Sequence, residues 1–250
     1  MNLKIAVVYN SQPKPCSEMK AHPDIYFPII AGAAENKIVS DMPNVQYDNV
    51  GDNISCFNPY FNELTAMYWI GKHLDLLGNP DYIGLHHYRR FFDLEKDVLP
   101  NLDPNVLILS YERLALNMVD FLDLCHESGQ YFYETAQKLF CVHVPFIKQC
   151  VDEYAKSTSY FSRNLFVIPS HVFPKLLEFI EQEMMIMAPD ANYASYGYVP
   201  ARHTAFVAER LTGLFFYLLI RTTSLKYKPV LFHYTDPEKD NEQTLERNSE

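Results

Sequence analysis

The stretch DYIGLHHYRRFF at residues 81–92 sets the fold class. Its first part, Tyr82–Leu85, is a short apolar run, the pattern of a strand buried on both faces of a parallel sheet. The next part turns polar and cationic at His86, His87, Tyr88, Arg89 and Arg90. In open α/β sheets ligands bind beyond the carboxyl ends of the strands, so this strand carries hydrogen-bond donors towards the expected cleft. A guanidinium fork matches phosphate oxygens, which makes Arg89 and Arg90 candidates for a diphosphate contact. Surface or structural ion pairs are the competing reading of the same two arginines. His86 and His87 are adjacent and face opposite ways along a strand, which argues against a metal site built from both.

Similar apolar runs flank this one, at LKIAVVY (3–9), at 106–109 and at 165–168, with helical patterns between some of them. Strands alternating with helices predict an α/β sandwich. One helix is expected from Pro59 to Leu77, with Asn58 as N-cap, Pro59 in the first turn and Gly78 just past the end. Tyr60, Leu64, Met67, Gly71 and Leu74 would share its inner face. A second helix starts near His171, with Phe173, Leu177, Ile180, Met184 and Met187 inward. A third covers 204–220 and is apolar on nearly all sides, so it is expected in the core. No repeat or linker divides the chain. One domain is expected over 1–235, followed by a polar tail at 236–250 of the composition that stays disordered.

Composition narrows the function. The 250 residues carry a net charge of −10, which disfavours non-specific nucleic-acid binding through Lys and Arg. Hydrophobic residues make up 48 %, enough for a large buried core. Five cysteines without CxxC spacing point to a reducing compartment and no zinc cluster. The opening MNLKIAVVYN has no signal-peptide pattern, and LFFYLLI at 214–220 is too short to span a bilayer. A cytoplasmic protein is expected, with room for peripheral contact at the inner membrane. HExxH, GxSxG, Walker and GxGxxG motifs do not occur.

Two blocks carry a family resemblance. The first is VGDNISCFNPYFNELTAMYWIGKH at 50–73, which holds Gly51, Asp52, Asn53, Ile54, Ser55, Asn58, Glu63, Leu64, Thr65, Tyr68 and Trp69. The second is the His87–Phe91 stretch HYRRF. With FPIIAGAA (27–34), NLFVI (164–168) and RHTAFVAERL (202–211), they run in order over most of residues 3–235. This pattern resembles the bacterial capsule and lipopolysaccharide glycosyltransferases catalogued as a domain of unknown function. Gly71 departs from it where a second Trp is frequent, His86 where Cys is frequent, and Phe92 follows a Phe rather than a Tyr.

The resemblance implies a single GT-A-like, Rossmann-like sandwich with a mainly parallel central sheet. It also implies transfer of a sugar from a nucleotide-sugar donor, a UDP-sugar by preference, to a glycan or lipid-linked oligosaccharide acceptor. Tyr9 and Asn10 would approach the nucleotide. Asp52 and Asn53 would bond nucleotide or sugar hydroxyls, and Arg89 and Arg90 would meet the diphosphate. His87, Tyr88, Asn164, Arg202 and Arg210 complete the expected donor-binding set. Glu209, on a buried helix, is the leading catalytic carboxylate, as general base, with Asp52 beside it. An ion pair of Glu209 with Arg202 or Arg210 is the competing reading. Many GT-A enzymes hold the diphosphate through a metal on Asp-x-Asp, which this chain lacks. Asp93-x-Glu95 is the nearest substitute for Mg²⁺ or Mn²⁺, and solvated charges are the expectation there. Two other functions stay open: a non-catalytic glycan-binding subunit and a metal-dependent sugar-phosphate hydrolase.

Overall fold

The computed structural model describes residues 2–140, 143–187 and 200–235. In chain order the elements are β1 (Leu3–Tyr9), α1 (Ser17–Ala21), β2 (Tyr26–Ile30), β3 (Gln46–Tyr47), α2 (Asn58–Phe61), α3 (Leu64–Lys72), β4 (Tyr82–His87) and β5 (Arg90–Phe91). There follow β6 (Val106–Arg113), α4 (Met118–His126), α5 (Gly129–Leu139), α6 (Pro145–Lys156), β7 (Ser159–Pro169), α7 (Phe173–Met187), α8 (Pro200–Thr222), β8 (Lys226–Val230) and β9 (His233–Tyr234). The anticipated tail at 236–250 lies outside the described residues.

The main sheet has the order β3-β2-β1-β4-β7-β6-β8. β1 pairs in parallel with both β2 and β4, as its unbroken apolar run requires. β7 is antiparallel to both β4 and β6, and β6 and β8 are parallel. All strands of this path except β7 therefore point the same way, giving the mainly parallel α/β sheet that the sequence implied. β5 and β9 form a side branch on the end of β4.

Side chains alternate across the sheet. Ile5, Val7, Tyr9, Tyr82, Leu165 and Val167 pack on one face with Met19, Phe91, Phe92 and Val98. Ala6, Val8, Ile83, Leu85, Phe166 and Ile168 pack on the other with Trp69, Phe173, Ile180 and Leu214. That second face is covered by α3, α5, α7 and α8. α8 is long and apolar enough to cross a bilayer, yet 72 % of its most apolar window is buried in the fold. Its Val207, Leu211, Leu214 and Leu218 are inward, as the spacing predicted.

The helix expected over 59–77 is two helices. Asn62 takes φ 45° and ψ −124°, outside the helical region, and separates α2 from α3. Asn58 is not the N-cap of a long helix but the first residue of α2, and its side chain donates to the Asn62 carbonyl (2.7 Å) and to Thr65 Oγ1 (3.1 Å). α3 ends at Lys72, and the chain reaches Gly78 through turns. Tyr60 of the expected inner stripe is exposed, while Leu64 and Met67 are buried. Gly71 lies where α3 crosses α7: a β-carbon there would sit 3.0 Å from Leu177 Cδ1 and 3.1 Å from Phe173 Cε1. A Trp at this position would force the two helices apart.

Candidate active site

The cleft forms at the carboxyl ends of β1 and β4, where the sequence placed it. A cavity of about 280 Å³ is lined by Val8, Asn10, Ala31, Asn58, Pro59, Asn62, Glu63, His87 and Tyr88. Three of the predicted donor-binding residues, Asn10, His87 and Tyr88, meet here. Strand alternation explains the division of the histidine pair. His86 turns to the opposite face and is fully buried among the rings of Tyr26, Phe91 and Phe92. Burial pushes its imidazole down to about 3, so it is a neutral core residue. His87 Nε2 lies 2.6 Å from the Arg163 carbonyl oxygen and 3.5 Å from Glu63 Oε1. Burial lowers its pKa from the ordinary value, and the Glu63 carboxylate offsets part of that shift.

His87 rests against a distortion of β7. Arg163 and Asn164 have φ 62° and φ 50°, two consecutive left-handed residues inside a strand. The register between β6 and β7 shifts at this point. The distortion aims the Arg163 carbonyl at His87 and lets Asn164 Nδ2 donate to Glu63 Oε1 at 3.1 Å. Strained backbone of this kind collects at functional sites. Glu63 was visible in the sequence only as part of the Glu-Leu-Thr block, without a role. Its signal would have been a carboxylate immediately after an Asn-rich turn.

The other side of the cleft is held by a buried carboxylate that no motif marked, Asp48. Its Oδ2 accepts from the Gly32 amide at 2.8 Å and from Thr65 Oγ1 at 2.6 Å. Its Oδ1 accepts from the Ala33 amide at 2.9 Å and from the Ser55 hydroxyl. Every acceptor site that burial would otherwise leave empty is filled. Ser55 also accepts from the Ala34 amide at 3.0 Å, so the FPIIAGAA loop and the long first block are tied at one point. Gly32 has φ +69°, and a β-carbon on it would meet Asn58 Oδ1 at 2.6 Å.

Several expected site residues have other work. Tyr9 points away from the cavity: its hydroxyl donates to the Lys14 carbonyl at 2.8 Å, and its ring stacks on Tyr88 at 5.7 Å. Asp52 is largely exposed, accepts from the Tyr68 hydroxyl at 3.0 Å and lies 3.8 Å from Lys72 Nζ. The Asn53 amide donates to the Gly51 carbonyl at 2.8 Å and its oxygen accepts from the Ser55 amide at 3.2 Å, so it closes a turn. Neither Asp52 nor Asn53 lines the cavity. The side chain of Arg202 lies outside the described residues.

Glu209 and Arg210 form the ion pair that was one of the two readings. Arg210 Nη1 donates to Glu209 Oε1, and the Arg163 amide donates to the same oxygen at 3.1 Å. Arg163 Nε in turn donates to Glu112 Oε2 at 3.0 Å, and Arg210 lies over the Tyr160 ring at 4.2 Å. Burial would raise the Glu209 carboxyl, but Arg210, Arg163 and the Arg163 amide outweigh it and hold the group at about 2. A carboxyl held there is a weak proton acceptor near neutrality. Glu209 is engaged in the ion pair, and Arg210 is buried against the Tyr160 ring.

Arg89 lies over the Tyr88 ring at 4.8 Å, next to the cavity. Arg90 turns towards Phe232 and Tyr234, at 5.8 Å and 5.6 Å. Neither has a carboxylate partner among the described residues, so the ion-pair reading of these two arginines finds no support there. Asp93 Oδ1 accepts from the Lys96 amide at 3.0 Å as a turn cap, and Glu95 Oε1 lies 3.8 Å from His22 Nε2. Both line a separate cavity of about 330 Å³ that shares no lining residue with the first.

No curated protein matches the chain. Among solved structures it is similar to the apo structure of the bifunctional glycosyltransferase WbbM, with TM-score 0.68 and 20 % identity over 94 % of this chain. The match spans 45 % of the WbbM chain, and at this identity the likeness is one of fold. The mannosyltransferase Ktr4p from S. cerevisiae aligns over 82 % of this chain and 66 % of its own, at 11 % identity and a TM-score of 0.28, too low to carry an argument. The chain belongs to the family described as a domain of unknown function (DUF4422), whose model matches residues 8–219.

Proposed function

We propose that the protein is a glycosyltransferase that binds a nucleotide-sugar in the cleft beyond β1 and β4 and passes the sugar to a bacterial surface polysaccharide or its lipid-linked precursor. The observation that carries this reading is the cavity lined by Asn10, Glu63, His87 and Tyr88, with the guanidinium of Arg89, which has no carboxylate partner among the described residues, over the Tyr88 ring. Amide and imidazole groups offer hydrogen bonds to hydroxyls, and the guanidinium offers counter-charge to a leaving diphosphate. Arg90, on the paired strand β5, is the second source of that charge. On this reading the protein works in the cytoplasm, with room for peripheral contact at the inner membrane.

The first test is a melting-temperature series with UDP, GDP, ADP and CMP. A nucleotide present at about 100 times its dissociation constant stabilises the fold by about 2.7 kcal/mol. A shift with at least one nucleoside diphosphate is expected. No shift with any of them would refute the reading.

A further inference from the structure

Glu63 has the surroundings that Glu209 lacks. It lines the cavity, whereas Glu209 does not, and its side chain is 14 % exposed. Its Oε1 is fixed on the inner side by the Asn164 amide at 3.1 Å, with His87 Nε2 at 3.5 Å. Its Oε2 makes no hydrogen bond to a described residue. Among the described residues that line this cavity, Glu63 is also the sole carboxylate. The carboxylate is therefore anchored by one oxygen and open on the other, within a polar pocket shaped by the left-handed pair Arg163–Asn164.

We infer that Glu63 is the catalytic base of a single-displacement transfer, an assignment that rests on the transferase reading above. The acceptor hydroxyl gives its proton to Glu63 Oε2 as its oxygen forms the bond to the anomeric carbon. The bond from that carbon to the diphosphate oxygen breaks, and its electron pair leaves with the nucleoside diphosphate. Charge balances, since the carboxylate becomes neutral while the departing diphosphate gains one negative charge. A lone carboxylate suffices for this route, because no covalent sugar intermediate has to form. The anomeric configuration of the sugar is inverted.

The test uses the full chain with UDP-galactose, UDP-glucose, UDP-N-acetylglucosamine and GDP-mannose, each with a panel of alkyl hexosides as acceptor hydroxyls, reading donor binding by melting temperature and turnover by release of nucleoside diphosphate. Glu63→Gln keeps an oxygen for Asn164 but takes up no proton. It is expected to bind donor as the wild type does and to release nucleoside diphosphate about 10²–10⁴-fold more slowly. Turnover within threefold of wild type would overturn the assignment. If the Gln variant melts below the assay temperature, Glu63→Asp withdraws the carboxylate by one methylene and keeps its charge. A loss of at least tenfold is expected there, and unchanged turnover would overturn the proposal. A wild type that binds none of the donors would instead refute the transferase reading itself. Donor binding without any release by the wild type would remove Glu63's catalytic role while leaving the binding site intact.

Discussion

Glu209 and Arg210 are neighbours on α8, and their fate shows how side chains of like promise diverge. Both are nearly buried, at 12 % and 3 % side-chain exposure, so the charge of each depends on the other. Glu209→Gln should leave Arg210 uncompensated, while Arg163 keeps Glu112, and destabilise the fold by about 3–5 kcal/mol. For a chain of this size that is a drop of about 6–20 °C in melting temperature, read by calorimetry. The pH dependence has a definite sign. The folded pKa lies below the unfolded one, near the usual 4.3, so the stabilisation is complete above that value. It is lost as pH falls towards about 2, and Glu209→Gln should flatten this acid limb. At the arginines, Arg89→Ala removes a charge-assisted contact of about 1.5–3 kcal/mol and should weaken nucleoside diphosphate binding by about ten- to one-hundredfold, measured by titration calorimetry. Unchanged affinity in both Arg89→Ala and Arg90→Ala would remove the diphosphate assignment. The sequence exposed these residues by type and neighbourhood. It held no sign that Tyr9 turns from the cleft, because that depends on which face of β1 a single register step selects.

At the scale of elements, the Asp48 knot decides the shape of the cleft. It joins the loop after β2 to Ser55 and Thr65, and so to α2 and α3. Asp48→Asn turns one acceptor into a donor that faces other donors, and each buried group left unpaired costs about 1–3 kcal/mol. A fall in the denaturation midpoint is expected, with nucleotide binding weakened as Asn58 and Asn62 shift. Gly32→Ala should act on the same knot, since φ +69° strains Ala by about 1–3 kcal/mol and the new methyl group meets Asn58. A variant as stable as the wild type would show that this loop is not held as described. The strands were legible because burial on both faces leaves continuous apolar runs. The break at Asn62 was not, since Asn tolerates left-handed backbone at little cost and interrupts a helical pattern without changing its hydrophobic period. The distortion of β7 at Arg163 and Asn164 left no pattern either. It is stabilised by contacts from Glu209, His87 and Glu63, distant in sequence.

Over the whole molecule, one sheet carries two hydrophobic layers and presents its polar ends on one side. Six strands of the main path share a direction, so the carboxyl ends of β1 and β4 open next to the distorted part of β7. The architecture concentrates Asn10, Glu63, His87, Tyr88 and Arg89 with little demand on any single loop. If the arginines supply the counter-charge in place of a divalent ion, turnover should persist in excess chelator. Loss of turnover restored by Mn²⁺ would contradict that arrangement. The most direct measurement is an experimental structure of the full chain with a bound nucleotide-sugar. The account predicts the diphosphate within hydrogen-bond distance of Arg89 or Arg90 and the sugar in the cavity beside Glu63 and His87. A nucleotide seated elsewhere, such as the cavity between Glu18 and Glu95, would contradict it.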